Sequence, residues 1–193
     1  ILPEVLARHP GVFYVFEGMR REQADAIGGL QVGYMIALFA IFALLAIPLK
    51  SYIQPLIIMA AIPFGLVGAV WGHIAMGLDV TMMSMFGFVA LTGVVVNDSL
   101  IMVTFINRKR LLHLDLETAV REAGVSRFRP ILLTSLTTFF GLAPLMLEKS
   151  FDAAFLVPMA VSLAFGVIFA TFITLVLVPT SYLIIEDLRR ILR

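Results

Sequence analysis

The sequence of 193 residues contains no cysteine and few charged side chains. Without a thiol the chain can form no disulfide, no thiolate metal site and no cysteine nucleophile. Charged residues make up 14% of the chain, whereas a soluble domain carries about 25%. The formal net charge of +1 provides no basic field that would attract a nucleic acid. The three histidines, His9, His73 and His113, are too far apart for metal-ligand spacing.

Apolar residues dominate instead. They account for 61% of the chain and form long stretches that carry almost no charge. Because about 20 apolar residues are needed to cross a bilayer as a helix, we predict an all-α membrane protein with five transmembrane helices embedded in lipid. The predicted spans cover about 27–49, 54–77, 82–106, 130–147 and 154–185.

Lysine and arginine predict the orientation, because cytoplasmic loops are enriched in them. With five spans, the basic residues of the third connection, of the first hinge and of the C-terminus all fall on one side. They are Lys50, Arg108, Lys109, Arg110, Arg121, Arg127, Arg129, Arg189, Arg190 and Arg193. We therefore expect residues 186–193 to form a cytoplasmic tail and residues 1–26 to lie on the opposite side, which is periplasmic if the membrane is a bacterial inner membrane.

Two segments are predicted not to cross. Residues of about 114–123 have helical apolar spacing, with Asp115 as a helix N-cap and Gly124 as a stop, which indicates an amphipathic helix along the cytoplasmic face. It would serve as a connector or as a lever between the third and fourth spans. Residues 1–26 contain a helix end, a strand-like GVFYVFEG and a helical lead into the first span.

One helix end and one strand cannot bury a core alone. We therefore expect residues 1–26 to be a short α/β remnant of a larger extracytoplasmic domain, followed by a transmembrane domain over 27–185. The chain begins with Ile1 rather than methionine, and we expect it to be the tail of something longer.

Asp98 is the one acid deep inside a predicted span, in the stretch GVVVNDSLIMV, and Asn97 precedes it. A charge at this depth costs about 2.5–3.5 kcal/mol on insertion scales, so the side chain is expected to face other helices or a wet cavity. A carboxylate that gains and loses a proton in mid-membrane is what a proton-coupled machine needs. The alternative is a neutral, structural hydrogen-bond donor.

The fourth span carries a group of hydroxyls at helical spacing. Thr134 and Thr138 are one turn apart and Ser135 lies beside them, which favours a patch able to receive a polar group from the third span. The alternative is that these are ordinary small interface residues of a membrane bundle.

Three weaker patterns favour structure over chemistry. Trp71 and His73, near the end of the second span, fit interface anchors. Small residues in the same span favour close helix approach, namely Gly65, Gly68, Ala69 and Gly72. The ten methionines are more typical of gap-filling than of soft-metal binding.

Four stretches together resemble one family. They are AIPLKSYIQPLIIMAAIPFGLVGA (46–69), GVVVNDSLIMVTFINR (93–108), REAGVSRFRPILLTSLTTFFGLAPLM (121–146) and FATFITLVLVPTSYLI (169–184). Their order and spacing resemble the C-terminal membrane half of resistance–nodulation–division (RND) efflux transporters of the acriflavine-resistance type, over nearly the whole chain.

The resemblance implies helices eight to twelve of a twelve-helix pump, preceded by the end of its second periplasmic porter insertion. It implies a homotrimer in the bacterial inner membrane, completed by the missing N-terminal half and working with a periplasmic adaptor and an outer-membrane channel. It implies proton-driven export of hydrophobic or amphiphilic compounds, with protons as the coupling ion, no cofactor and no enzymatic activity.

The resemblance also implies a proton relay made of Asp98, Asn97, Thr134, Ser135 and Thr138. Asn97 falls where the best-known members have lysine, so a lysine–aspartate ion-pair switch cannot operate as it does there. Asp98 is then either a relay acid or a hydrogen-bonded partner of the acid pair in the other half. Other interpretations are an RND branch that exports metal ions, lipids or polypeptides, and a non-transporting membrane assembly module.

Overall fold

The computed structural model describes residues 19–112 and 115–191, and all of its regular elements within them are helices. The strand expected in residues 1–18 and the residue His113 lie outside this part. The helices are α1 (Met19–Leu49), α2 (Ile53–Met59), α3 (Ile62–Met76), α4 (Met82–Arg110), α5 (Leu116–Met146), α6 (Phe151–Ala154) and α7 (Val157–Ile191). Among the described residues, five segments are long and apolar enough to cross a membrane, as predicted: Ala24–Leu49, Ile53–Met76, Met82–Arg110, Leu116–Met146 and Val157–Leu188.

The chain divides into two units, residues 1–37 and 38–193. The described part of the first unit is the beginning of α1, which is already helical at Met19, eight residues before the predicted span. Its apolar side chains are largely exposed, including Val32, Met35 and Ile36. Such a surface is compatible with lipid, because lipid tails are as apolar as the side chains themselves.

Helix α7 is the central element of the second unit and packs against α3, α4 and α5. Small residues permit this packing. A Cβ atom added at Gly72 of α3 would lie 2.5 Å from the Cβ of Phe165 on α7, and one added at Gly68 would collide with Phe169. The predicted stripe of small residues in the second span is therefore confirmed as a close-packing surface.

The second span is interrupted at residues 60–61 and so consists of two helices rather than one. Helix α2 ends at Met59, and α3 starts at Ile62 with Pro63 in its first turn. Proline has no N–H to donate to the carbonyl four residues earlier, so one hydrogen bond of the helix is missing at this point. The two pieces together still span the predicted range.

A separate amphipathic helix is expected from the sequence at about 114–123. The predicted start of this helix is confirmed, whereas its predicted end is wrong. Asp115 is the N-cap, and its carboxylate accepts a hydrogen bond from the backbone N–H of Thr118 at 3.3 Å. Gly124 does not end the helix, because it does not adopt the left-handed conformation that a helix stop requires, and α5 continues to Met146. The expected apolar face is buried as predicted: Leu116, Ala119, Val120 and Ala123. The predicted connector is thus the first part of the fourth spanning helix.

The helix of the last span begins three residues later than predicted and extends further at its C-terminal end. After the short helix α6, α7 runs unbroken through Pro179 and ends at Ile191, so it takes in most of the expected cytoplasmic tail.

Candidate functional site

Helix α4 carries Asn97 and Asp98, and it has two different faces. The packed face is buried in the second unit and consists of Gly87, Leu91, Val95, Ser99 and Met102. The open face is exposed and consists of Val89, Gly93, Asn97 and Thr104. Asp98 is half-buried where the two faces meet. Asn97 therefore lies on the side of α4 that the other described helices leave uncovered, and Asp98 lies at the edge of that side.

The carboxylate of Asp98 accepts no hydrogen bond and forms no ion pair with any residue that the structure describes, and the amide of Asn97 likewise has no partner there. A Cβ atom added at Gly93, one helical turn before Asn97, would meet nothing within 4 Å. Because Asp98 is only half-buried, its carboxylate can be reached by water or by another polypeptide segment. The cost of a bare charge at this depth makes such a partner necessary.

The hydroxyls on α5 do not form a single patch. Thr134 is exposed and donates to the carbonyl of Ile131 at 2.8 Å, and the half-buried Thr138 donates to the carbonyl of Thr134 at 2.9 Å. Ser135 is buried and its hydroxyl is hydrogen-bonded to that of Thr171 on α7. None of the three is hydrogen-bonded to Asp98 or Asn97 in the described part of the chain. Their assignment to a relay stays a prediction, and Ser135 is already engaged with α7.

Sequence reasoning missed a polar network that joins α2, α4 and α7 at the basic end of the bundle. Gln54 and Asn107 exchange two amide hydrogen bonds, at 2.9 and 3.1 Å. The hydroxyl of Tyr182 donates to Asn107 at 2.7 Å and accepts from Arg110 at 3.2 Å. Arg110 also pairs with Glu186 at 3.1 Å. An isolated Gln or Asn near a helix end gives no signal of such a network, since its partners lie on other helices.

The interpretation of His73 as an interface anchor is wrong. Its side chain is 1% exposed, and its Nε2 lies 2.7 Å from the hydroxyl of Ser84 on α4. Nδ1 lies 2.9 Å from the carbonyl of Ala69, so the ring is held on both sides. The short connection between α3 and α4 brings His73 and Ser84 together. The sequence of either span alone does not show this contact. Trp71 is 61% exposed, so its role as an anchor stays a prediction.

Three buried hydroxyls on helices α4 and α7 lack a hydrogen-bond partner among the described residues: Ser99, Ser162 and Thr174. Ser99 follows Asp98 directly and points into the packed face. In the same part of the chain, no group of three or more histidine, aspartate or glutamate side chains is placed to hold a metal ion.

Comparison with known proteins places this arrangement in a family. Residues 4–186 match the AcrB/AcrD/AcrF family. The chain is 32% identical over 157 residues to the multidrug resistance protein MdtC of Pantoea ananatis, covering 81% of this chain and 15% of that protein. It is 30% identical over 172 residues to the cobalt-zinc-cadmium resistance protein CzcA of Cupriavidus metallidurans, covering 89% of this chain and 16% of that protein.

Comparison with solved structures points to the same family. The crystal structure of a heavy metal efflux pump superimposes with a TM-score of 0.80 at 30% identity, covering 96% of this chain and 19% of that chain. The chain thus spans only about a sixth of the length of the curated relatives it matches. With the family match extending over residues 4–186, the chain belongs to the AcrB/AcrD/AcrF family of RND transporters and corresponds to part of their membrane region.

Proposed function

We propose that this chain is the part of a proton-driven RND efflux permease that carries transmembrane helices eight to twelve, and that Asp98 takes up and releases a proton during transport. One observation carries the proposal. Asp98 is the one acid in the middle of a candidate span, and no hydrogen bond or counter-charge from the described residues holds it. A structural acid would be expected to have such a partner in its own bundle.

The energetics of a lone intramembrane acid explain how it would couple. A charged side chain at mid-membrane costs about 2.5–3.5 kcal/mol on insertion scales, and protonation removes the charge. The two protonation states of Asp98 would therefore prefer different surroundings of α4, which is what biases a two-state transporter. Each proton that crosses supplies about 2.3 kcal/mol per 100 mV of membrane potential.

Asn97 changes the form that this coupling takes. It occupies the position at which the best-known members have lysine, and an amide can donate a hydrogen bond but carries no charge. We assign Asn97 as a neutral donor to the Asp98 carboxylate or to an acid of the facing half. Thr134 and Thr138 are assigned as further relay residues, because their oxygens retain acceptor capacity while their protons bond to α5. Ser135 is the member of this set most tied to packing.

The proposed substrates are hydrophobic or amphiphilic compounds, as in multidrug export. A second candidate is metal-ion export, favoured by the likeness to CzcA and to a heavy metal efflux pump. Export assays with a panel of amphiphilic dyes and with Co²⁺, Zn²⁺ and Cd²⁺ would separate the two. The remaining alternative is a membrane assembly module that transports neither.

The proposed setting is a multi-pass protein of the bacterial inner membrane, with the basic end of α4, α5 and α7 in the cytoplasm. The proposed assembly is a homotrimer completed by the other half of the pump, with a periplasmic adaptor and an outer-membrane channel. Cysteine-accessibility labelling at the exposed positions Asp79 and Arg129 would test the orientation, because they lie at opposite ends of the predicted spans. Labelling of Arg129→Cys from the periplasm would contradict it.

The direct test of function is Asp98→Asn in the full-length protein, expressed in cells that lack other efflux pumps. The exchange removes the titratable proton and keeps the shape of the side chain. We expect export to fall to background while the amount of protein in the membrane is unchanged. Asp79→Asn makes the same chemical change at an exposed position between α3 and α4, and it should leave export intact.

Two outcomes would count against the proposal. Near-normal export by Asp98→Asn would make the acid structural. Equal loss in Asp98→Asn and Asp79→Asn would show that the effect does not depend on the acid's position in the span.

A further inference from the structure

Two recesses lie side by side on the surface of α5, near its charged end. The polar recess has a volume of about 460 Å³ and is lined by Thr118, Arg121, Glu122, Val125 and Ser126. The apolar recess has a volume of about 330 Å³ and is lined by Gly124, Val125 and Phe128 of α5 and Leu175 of α7. Val125 is the wall that both share. Volumes of 300–1,000 Å³ are typical of small-molecule sites.

The polar recess contains one arginine that has no ion pair with a described residue. The carboxylate of Glu122 is neutralised by Lys109 of α4 at 2.8 Å. Arg121 is exposed and forms no ion pair with a described residue, although Glu117 lies one turn before it. Arg129 is also exposed and lies one turn after Val125 on the same side of the helix. A ligand here would meet a guanidinium that forms no ion pair and the Ser126 hydroxyl, a combination that suits a phosphate group.

The apolar recess is lined by exposed apolar side chains although charged side chains lie close to it. Val125 is 74% exposed and Phe128 is 50% exposed. Further along the same two helices the exposed surface stays apolar, at Leu133 of α5 and at Phe172 of α7. An apolar track therefore leads from the polar recess toward the middle of the candidate span Leu116–Met146.

We propose that these two recesses together bind one anionic glycerophospholipid. The phosphate lies in the polar recess against Arg121, and an acyl chain lies over Val125 in the apolar recess. Basic side chains close to the cytoplasmic membrane surface attract anionic lipid headgroups. A soluble phosphate compound would leave the apolar recess empty, and a zwitterionic lipid would leave the guanidinium without its full counter-charge. The site is independent of Asp98 and of the transport function proposed above.

The test uses the purified full-length protein in non-ionic detergent, with bound lipid counted by native mass spectrometry. Dioleoylphosphatidylglycerol is compared with dioleoylphosphatidylcholine, which has the same chains. We expect the anionic lipid to bind at least about fivefold more tightly, since one basic residue near a membrane surface contributes about that factor. Arg121→Gln should lower the affinity for the anionic lipid about fivefold. Val125→Trp should also lower it, because the larger side chain would occupy part of both recesses.

Arg108→Gln is the matched control, because Arg108 is an exposed arginine at the end of α4 that lines neither recess. The proposal holds if Arg108→Gln keeps the affinity that Arg121→Gln loses. It is overturned if the two lipids bind equally, or if Arg108→Gln has the same effect as Arg121→Gln. It is also overturned if the deacylated headgroup glycerophosphoglycerol binds as tightly as the lipid, or if cross-linking from Val125→Cys shows that a second copy of the chain covers the site.

Discussion

The packed and open faces of α4 both carry small and polar residues, yet the surroundings of these residues differ. On the packed face, Gly87 and Ser99 are buried against α7 or within the bundle. On the open face, a Cβ atom added at Gly93 would meet nothing within 4 Å and Asn97 is exposed, and Asp98 at the boundary has no hydrogen-bond or ion-pair partner among the described residues. The role of a polar residue in a membrane helix therefore depends on which face of the helix carries it. The buried Ser99 on the packed face lies within the bundle although its hydroxyl has no hydrogen-bond partner among the described residues, whereas the polar residues of the open face are accessible to water, to a proton or to another segment.

Glycine gives the sharpest contrast between the two faces. In Gly87→Ala the new Cβ would lie 2.7 Å from the backbone carbonyl oxygen of Met159 and 2.6 Å from the Cβ of Ser162, and the backbone atom cannot simply swing away. We expect a loss of about 1–3 kcal/mol in the free energy of unfolding, measured by reversible denaturation in mixed micelles. Gly93→Ala has open space for its methyl group and should cost nothing. Equal destabilisation by both variants would break the distinction between the faces.

The Tyr182 hydroxyl offers the next test, because it links Asn107 of α4 to Arg110 and lies in a buried side chain. Tyr182→Phe leaves these partners short of a hydrogen bond, and we expect it to cost about 1–2 kcal/mol. Tyr52→Phe is the control, since Tyr52 is exposed. Thermal unfolding of the two variants should separate them, and indistinguishable melting curves would mean that the network contributes no stability.

The smallest effect is expected on α5, where the same contrast recurs. Ser135 bonds to Thr171 on α7, whereas the exposed Thr137 donates only to carbonyls of its own helix. Ser135→Ala should cost about 0.6 kcal/mol and at most about 1.7 kcal/mol, the range of interhelical hydrogen bonds in membranes. Thr137→Ala should leave the free energy of unfolding unchanged. A larger cost for Thr137→Ala than for Ser135→Ala would reverse the assignment of faces on α5.

The fold was largely predictable because the bilayer imposes a length on every spanning helix. Runs without charge predicted five spans, and the spacing of Gly65, Gly68 and Gly72 predicted close packing. The continuity of α5 was not predictable from Gly124, since a glycine ends a helix only where the chain adopts a left-handed conformation.

The site was predictable only in part. Asp98 could be identified as a candidate from the sequence because it is an acidic residue within an otherwise uncharged span. Which face of α4 is open could not be read from the sequence, because lipid and bundle interior are equally apolar and hydrophobic periodicity does not tell them apart. For the same reason the burial of His73 and the engagement of Ser135 with Thr171 depend on partners from other helices, which no single span encodes.

The measurement that bears most directly on the central claim is an infrared pH titration of the full-length protein in lipid, comparing it with Asp98→Asn. The account predicts a carboxyl band from protonated Asp98 that is lost reversibly as the pH is raised and is absent from the variant throughout. A spectrum without any titrating band that depends on Asp98 would contradict the claim that this acid exchanges protons.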